Sequence, residues 1–229
     1  MAQIKENLAR ISNQIEEACR RSGRSNDVQI VAVTKSVSVE RTKEAVEFGL
    51  LHLGENRPEG IQRKVEEIGN SVKWHFIGSL QSRKVKDIID QIDYLHSLER
   101  ISLAKEIQKR ASRVVDCFVQ VNVSGEESKH GLMPDEVIPF IKELREFDKI
   151  RIIGLMTMAP NSDDENTLRS VFKGLKSLQE EVASLQLPHA PCTECSMGMS
   201  NDYEIAVEEG ATFVRIGTAL VGDESGESL

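Results

Sequence analysis

The sequence predicts a TIM-type (β/α)8 barrel preceded by one extra helix, and three observations carry that expectation. Short runs rich in β-branched and other apolar residues recur along the whole chain. Each is followed by a stretch with apolar residues at spacings of three and four. No Pro/Gly/Ser-rich break marks the start of a second domain. Within 229 residues, eight strand–helix units fit a closed α/β barrel more economically than an open doubly wound sheet plus a second domain. One domain over residues 1–229 is therefore expected.

The first element is a helix over 2–22, where Ile4, Leu8, Ile11, Ile15 and Ala18 share a face and Gly23 stands as the C-cap. The run VQIVAVT (28–34) reads as the first strand and ends at Lys35; a helix over 39–48 follows, stopped by Gly49. The alternation then repeats as strand 51–54 with helix 58–68, strand 72–77 with helix 81–91, and strand 93–96 with helix 99–112. In the second half come strand 114–123 with helix 134–147, and strand 150–157 with a long helix near 164–185 built on Leu168, Phe172, Leu175, Leu178 and Val182. Strand 192–196, helix 201–209 and strand 212–216 complete the set. Pro139 falls inside the helix over 134–147, where it removes one hydrogen bond and favours a kink.

Lysine and arginine total 29 against 37 aspartates and glutamates, a net charge of −8. Long-range repulsion then disfavours a general polyanion binder, so no nucleic-acid partner is expected. A local basic pocket for one phosphate stays compatible with that balance. The start, MAQIKENLARI, is charged and amphipathic with no apolar signal region. No stretch approaches about 18 uninterrupted apolar residues. A cytoplasmic protein with no membrane partner is the expectation. The four cysteines are expected as reduced thiols. Cys192 and Cys195 form a C-x-x-C, but on a strand residues three apart face opposite sides, so neither a shared metal nor a disulfide is expected.

In a barrel of this kind the chemistry sits at the carboxyl ends of the strands. Lys35 closes the apolar run VAVT, and a place in the barrel mouth would desolvate its amine and favour the neutral form that Schiff-base chemistry needs. The same lysine also fits a side chain snorkelling outward from a strand end. The turns SMGMS (196–200) and RIGTA (215–219) follow the seventh and eighth strands, where barrels most often hold a phosphate. Ser196, Gly198, Gly217 and Thr218 form a natural cradle, against the plainer reading that the glycines only end strands. Arg215 either points at whatever the phosphate anchors or forms a structural ion pair. His52 and His75 lie on strands and could contact a ligand, but as isolated histidines they read more readily as satisfied structural groups. Glu55 is the one obvious carboxylate near Lys35, which a phospho-sugar isomerase or lysine aldolase on this barrel would require. The loop GEESKHG (125–131) is either a lid or a solvated connection.

A Schiff-base lysine, a phosphate cradle and a nearby arginine together suggest pyridoxal 5'-phosphate. The segments VAVTK, HLGEN (52–56), WHFIGSLQ (74–81), IGLMTMAP (153–160), SMGMSNDYEIAVEEGAT and VRIGTALVG resemble the pyridoxal phosphate homeostasis protein family over nearly the whole chain. That family is similar in fold to the N-terminal barrel domain of alanine racemase. The resemblance implies that Lys35 forms the internal aldimine, that Ser196, Gly217 and Thr218 hold the phosphate, and that Arg215 faces the pyridine nitrogen. It also implies that Asn56 and Met156 line the pocket. Arg57 and Pro58 stand where the family commonly has an aromatic after GEN, Arg83 where asparagine is common, and Cys195 where leucine is common. These departures bear on the pocket edge and partner surface.

An arginine at the ring nitrogen cannot stabilise a protonated pyridinium as a carboxylate does, so the ring becomes a weaker electron sink. Alanine racemase, as the resemblance has it, uses two bases, one of them a tyrosine from a second domain of the partner subunit. Here only Tyr94 and Tyr203 occur and the sequence stops at Leu229, so the second acid or base is expected to be missing. The expectation is a protein of little or no catalysis that buffers or delivers pyridoxal phosphate, with apo pyridoxal phosphate enzymes as partners, as a monomer or weak dimer. The alternative is a pyridoxal phosphate-dependent amino-acid racemase or lyase of unidentified substrate.

Overall fold

A computed structural model describes residues 2–126 and 128–224. Glu127 of the polar loop, and residues 225–229 with the chain end considered above, lie outside the described residues. Helix α1 (Ala2–Ser22) comes first and ends at Gly23, whose φ of +68° is the left-handed turn a glycine C-cap supplies. The barrel then runs β1 (Gln29–Val33), α2 (Val39–Glu47), β2 (His52–Glu55), α3 (Pro58–Ile68), β3 (Lys73–Phe76), α4 (Val85–Ile88), β4 (Tyr94–Leu98) and α5 (Ile101–Arg110). It continues with β5 (Val115–Gln120), α6 (Pro134–Glu143), β6 (Ile150–Met156), α7 (Glu165–Ser184), β7 (Glu194–Ser196), α8 (Tyr203–Glu208), β8 (Phe213–Ile216) and α9 (Thr218–Val221).

The strands pair in chain order, all parallel, and β8 returns to β1 to close the barrel. Local signals explain the boundaries. Ser38 caps α2 by accepting from Arg41 N, Pro58 opens α3, and the Asp164 carboxylate caps α7 by accepting from Asn166 N and Thr167 N. Helix α1 lies across the outside against α8 and α9, where Asn7 Nδ2 donates to the Leu220 carbonyl and Tyr203 OH donates to Gln14. Val31, Phe118, Met156 and Phe213 pack inside the barrel, and a larger apolar layer separates strands from helices. Gly154 of β6 is required by close approach, since a Cβ there would sit 2.1 Å from the Glu194 carbonyl oxygen. Among the described residues no helix is long and apolar enough to cross a membrane.

Three segments differ from expectation. The helix expected over 81–91 is a 3-10 turn, Ser82–Lys84, followed by the four residues of α4, because i→i+3 bonds from Lys84 N to Gln81 O and from Gln91 N to Ile88 O tighten both ends. The helix over 134–147 divides into α6, with Pro139 inside it, and a 3-10 turn, Leu144–Glu146. The strand expected over 192–196 begins only at Glu194, since Cys192 has φ +47° and cannot continue an extended strand. The strand-alternation argument therefore does not apply to Cys192 and Cys195. Both are buried free thiols, pushed up to about 12 chiefly by desolvation, and burial of that kind makes them inert.

Candidate functional site at the barrel mouth

Parallel closure places the carboxyl ends of all the strands on one rim, and the residues singled out above fall on five adjacent strands of it. Met156 ends β6, Ser196 ends β7 with Gly198 just beyond, Arg215 lies on β8 with Gly217 and Thr218 after it, Lys35 follows β1, and Asn56 follows β2. Strand pairing sets Val31 against Arg215 and Ala32 against Ile216, so the Lys35 turn and the RIGT turn are direct neighbours.

Ser196 and Arg215 are buried in the barrel and bonded to one another, Arg215 Nη1 donating to Ser196 Oγ at 2.6 Å. Nη2 donates to the Thr157 carbonyl at 3.0 Å. These partners are a hydroxyl and a carbonyl, and among the described residues no carboxylate pairs directly with Arg215, although the Asp202 charge acts on it. Burial pulls the guanidinium down to about 10, which still leaves it charged at neutral pH. Met156 is buried beneath the rim, and Asn56 is half-buried with its carbonyl oxygen only 2.2 Å from where a Cβ on Gly78 would lie.

Gly198 has φ +92°, and a Cβ there would come within 2.6 Å of Ala206 Cβ, so the turn after β7 requires glycine. A Cβ on Gly217 would meet nothing nearer than Val33, at 3.5 Å, which leaves that backbone approachable. Thr218 is exposed at the start of α9, whose first N–H groups have no acceptor within the helix.

Of the two readings of Lys35, the structure agrees with the outward-facing one and not with a desolvated amine. Lys35 is exposed in the turn after β1, because the strand ends at Val33 and Thr34 is the last buried residue before the chain turns outward. The buried amine of this corner belongs to Lys64 of α3, which carries no exposed surface. Its Nζ donates to Glu55 Oε1 at 2.6 Å and to the Thr34 carbonyl at 2.5 Å, and Thr34 Oγ1 donates to the same carboxylate oxygen at 2.7 Å. Glu55 is thus held in a buried ion pair rather than poised as a base for Lys35, and the aldolase or isomerase reading loses its carboxylate.

His52 and His75 are not isolated groups, and His96, which the sequence does not single out, stands with them. The three imidazoles bond in series and end on Ser196. A signal existed, namely histidines recurring 23 and 21 residues apart, about one strand–helix unit, on consecutive strands. Tyr94 begins β4 and stacks on His75 with ring centroids 4.3 Å apart, at the end of the barrel opposite Lys35. In the polar loop, Asn122 Nδ2 donates to the Glu126 carbonyl at 2.9 Å, and Lys129 Nζ donates to the Met158 carbonyl at 3.3 Å.

Residues 6–225 match the family model described as the alanine racemase N-terminal domain, so the molecule is an alanine-racemase-type barrel. The pyridoxal phosphate homeostasis protein of Aquifex aeolicus is 39% identical over 226 residues, covering 95% of this chain and 97% of that one. The chain belongs to the pyridoxal phosphate homeostasis protein family. Among solved structures, an unknown protein from Bifidobacterium adolescentis superposes with TM-score 0.91 at 31% identity, over 96% of this chain and 94% of that one. PipY of Synechococcus elongatus PCC7942, solved with PLP bound, superposes with TM-score 0.83 at 31% identity, over 96% of this chain and all of PipY.

The residues at this mouth fit such a group. A buried cation, two hydroxyls and an approachable helix-start backbone suit a phosphorylated, ring-bearing anion, and an exposed lysine in the turn after the adjoining strand suits its aldehyde.

Proposed function

We propose that this chain binds pyridoxal 5'-phosphate in the barrel mouth as a Schiff base on Lys35. It serves in the cytoplasm to keep that cofactor, and through it amino acids, in balance, with little or no catalysis. The observation that carries the reading is the pairing of β1 with β8, which sets the Lys35 turn beside the buried Arg215–Ser196 pair and the RIGT turn. When bound, the cofactor supplies an aldehyde that condenses with an amine and a ring that withdraws electrons.

Every other contribution belongs to the chain. Lys35 offers its amine, Ser196, Gly198, Gly217 and Thr218 hold the phosphate, and Asn56 and Met156 bound the ring. Arg215 presents a donor to the ring nitrogen, and as a charged group it does not supply the carboxylate that would hold a proton there. Because Lys35 stands exposed, its amine is within reach of free aldehyde and of a competing amine, which suits uptake and release to apo enzymes. A monomer or weak dimer is sufficient for that role.

The test is loading with pyridoxal phosphate, borohydride reduction and peptide mapping. A visible band with the label on Lys35, both lost in Lys35→Ala, is the expected outcome. A wild-type chain that takes no label overturns the reading. Exchange of α-protons on a panel of amino acids at ordinary enzyme rates, about 1–1000 per second, would instead establish a racemase or lyase.

A further inference from the structure

Three histidines occupy consecutive strands, His52 at the start of β2, His75 on β3 and His96 on β4. His52 Nδ1 lies 2.8 Å from His75 Nε2, His75 Nδ1 lies 2.8 Å from His96 Nε2, and His96 Nδ1 lies 2.9 Å from Ser196 Oγ. Ser196 Oγ accepts from Arg215 in turn. His75, His96 and Ser196 have no exposed surface, while His52 is only half-buried. The series therefore starts at the amino end of the barrel, where water reaches it, and finishes beside Arg215 under the mouth. Tyr94 stacks on His75, Phe118 stacks on His96, and Phe213 packs against His52 and His75. The rings bond in sequence and not around a common point: among the described residues no cluster of three or more His, Cys, Asp or Glu is set to hold a metal.

Burial holds all three imidazoles below their ordinary range. Lys73 adds to the effect at His52 and His75, Arg215 adds to it at His96, and Asp93 opposes it at His52. Each ring is therefore neutral at pH 7 and carries one N–H. An N···N contact needs one donor and one acceptor, so the series has just two consistent arrangements. Either every ring carries its hydrogen on Nδ1 and donates toward Ser196, or every ring carries it on Nε2 and donates toward His52.

We propose that this series is a proton path joining water at the barrel floor to the Ser196–Arg215 end of the binding site. A proton from water bonds to His52 Nε2, and the His52 Nδ1 hydrogen passes to His75 Nε2. The His75 Nδ1 hydrogen passes to His96 Nε2, and the His96 Nδ1 hydrogen passes to Ser196 Oγ. The original hydroxyl hydrogen of Ser196 leaves to water or to a basic atom of a ligand in the mouth. One proton enters and one leaves, the rings exchange one arrangement for the other, and Arg215 stays protonated throughout as the donor to Oγ. A site whose mouth is closed by a bound ligand thereby keeps a second, independent access for protons.

The path is a property of the chain alone, while its use at the bound cofactor rests on the function proposed above. It is tested by NMR on 15N-labelled protein, first without and then with pyridoxal phosphate. Expected are 15N–15N couplings across both N–H···N bonds, and exchange of the His75 and His96 ring hydrogens with water that slows by about tenfold or more in His52→Phe, since sealed groups otherwise exchange only through opening of the fold. His75→Gln keeps a donor and an acceptor at that position but cannot pass a hydrogen through a ring, and it should slow His96 exchange likewise. Should either variant fail to fold, the other decides. Missing couplings, or exchange unchanged in the folded variant, overturn the path. A protein that shows the path yet takes no pyridoxal phosphate overturns the proposed function and leaves the path standing. A loaded protein whose ring exchange ignores residue 52 overturns the path alone.

Discussion

Thr34 stands between two lysines that have opposite circumstances. Lys35 follows it in sequence and is exposed on a turn, whereas Lys64 reaches it from α3 and is sealed away with its amine on the Thr34 carbonyl and the Glu55 carboxylate. Burial pulls the Lys64 ammonium down, and the adjoining carboxylate opposes that pull. The contrast separates two uses of an amine. Lys64 spends its donors on fixing the peptide that leads into Lys35, and Lys35, bonded to nothing that α3 holds, remains reachable for an aldehyde.

The largest effect should come from breaking the buried member. Lys64→Met leaves the Glu55 carboxylate enclosed without a cation, and loss of one partner of a buried pair costs about 3–5 kcal/mol. Urea denaturation measures it. Adding Glu55→Gln removes the stranded charge while keeping an acceptor for Thr34, so the double variant should recover most of the loss. A single variant that stays within about 1 kcal/mol of wild type would mean that the corner is held by packing and that the two lysines do not differ as described.

Much of this was legible before any coordinates, and the part that was not has a physical pattern. Lys35, Ser196, Arg215 and the glycine turns announce themselves because each stands at or just beyond the carboxyl end of an expected strand, and a parallel barrel places every such position on one rim. Which of the two readings of Lys35 holds was not legible, because it depends on β1 ending at Val33, one residue before the apolar run does. The role of Lys64 was not legible either, since nothing in PEGIQRKVEEI indicates that its stem turns inward to Glu55. The histidine series was hidden because it is made by register between neighbouring strands rather than by spacing along one. The overlong helix at 81–91 has a local origin: Val85, Ile88 and Ile89 have helical spacing whether the backbone is α or partly 3-10.

The histidines extend the comparison to pH. His75 and His96 are held neutral by burial when folded and bind protons freely when unfolded, from their ordinary value of about 6.5 downward. The unfolded chain thus takes up more protons below that pH, so stability is full above it and falls as pH falls. Well below that pH the loss approaches about 1 kcal/mol per pH unit for each such ring, for as long as the folded ring stays neutral. Unfolding free energies from urea titrations at pH 7, 6 and 5 should fall less steeply in His75→Gln than in wild type, by a difference that grows toward about 1 kcal/mol per pH unit at the acid end. Parallel slopes would show that these rings become protonated without unfolding.

The smallest expected effect concerns Lys35, and its smallness is informative. An exposed turn residue away from caps and buried pairs normally changes stability by no more than about 0.5 kcal/mol when replaced. Lys35→Ala should therefore unfold at the wild-type urea concentration while losing all borohydride-fixed label, whereas Lys64→Met should be strongly destabilised and, where folded, still take the label on Lys35. Loss of stability in Lys35→Ala would place that residue in the same structural network as Lys64, and the division between a lysine that builds the corner and one that meets the ligand would have to be withdrawn.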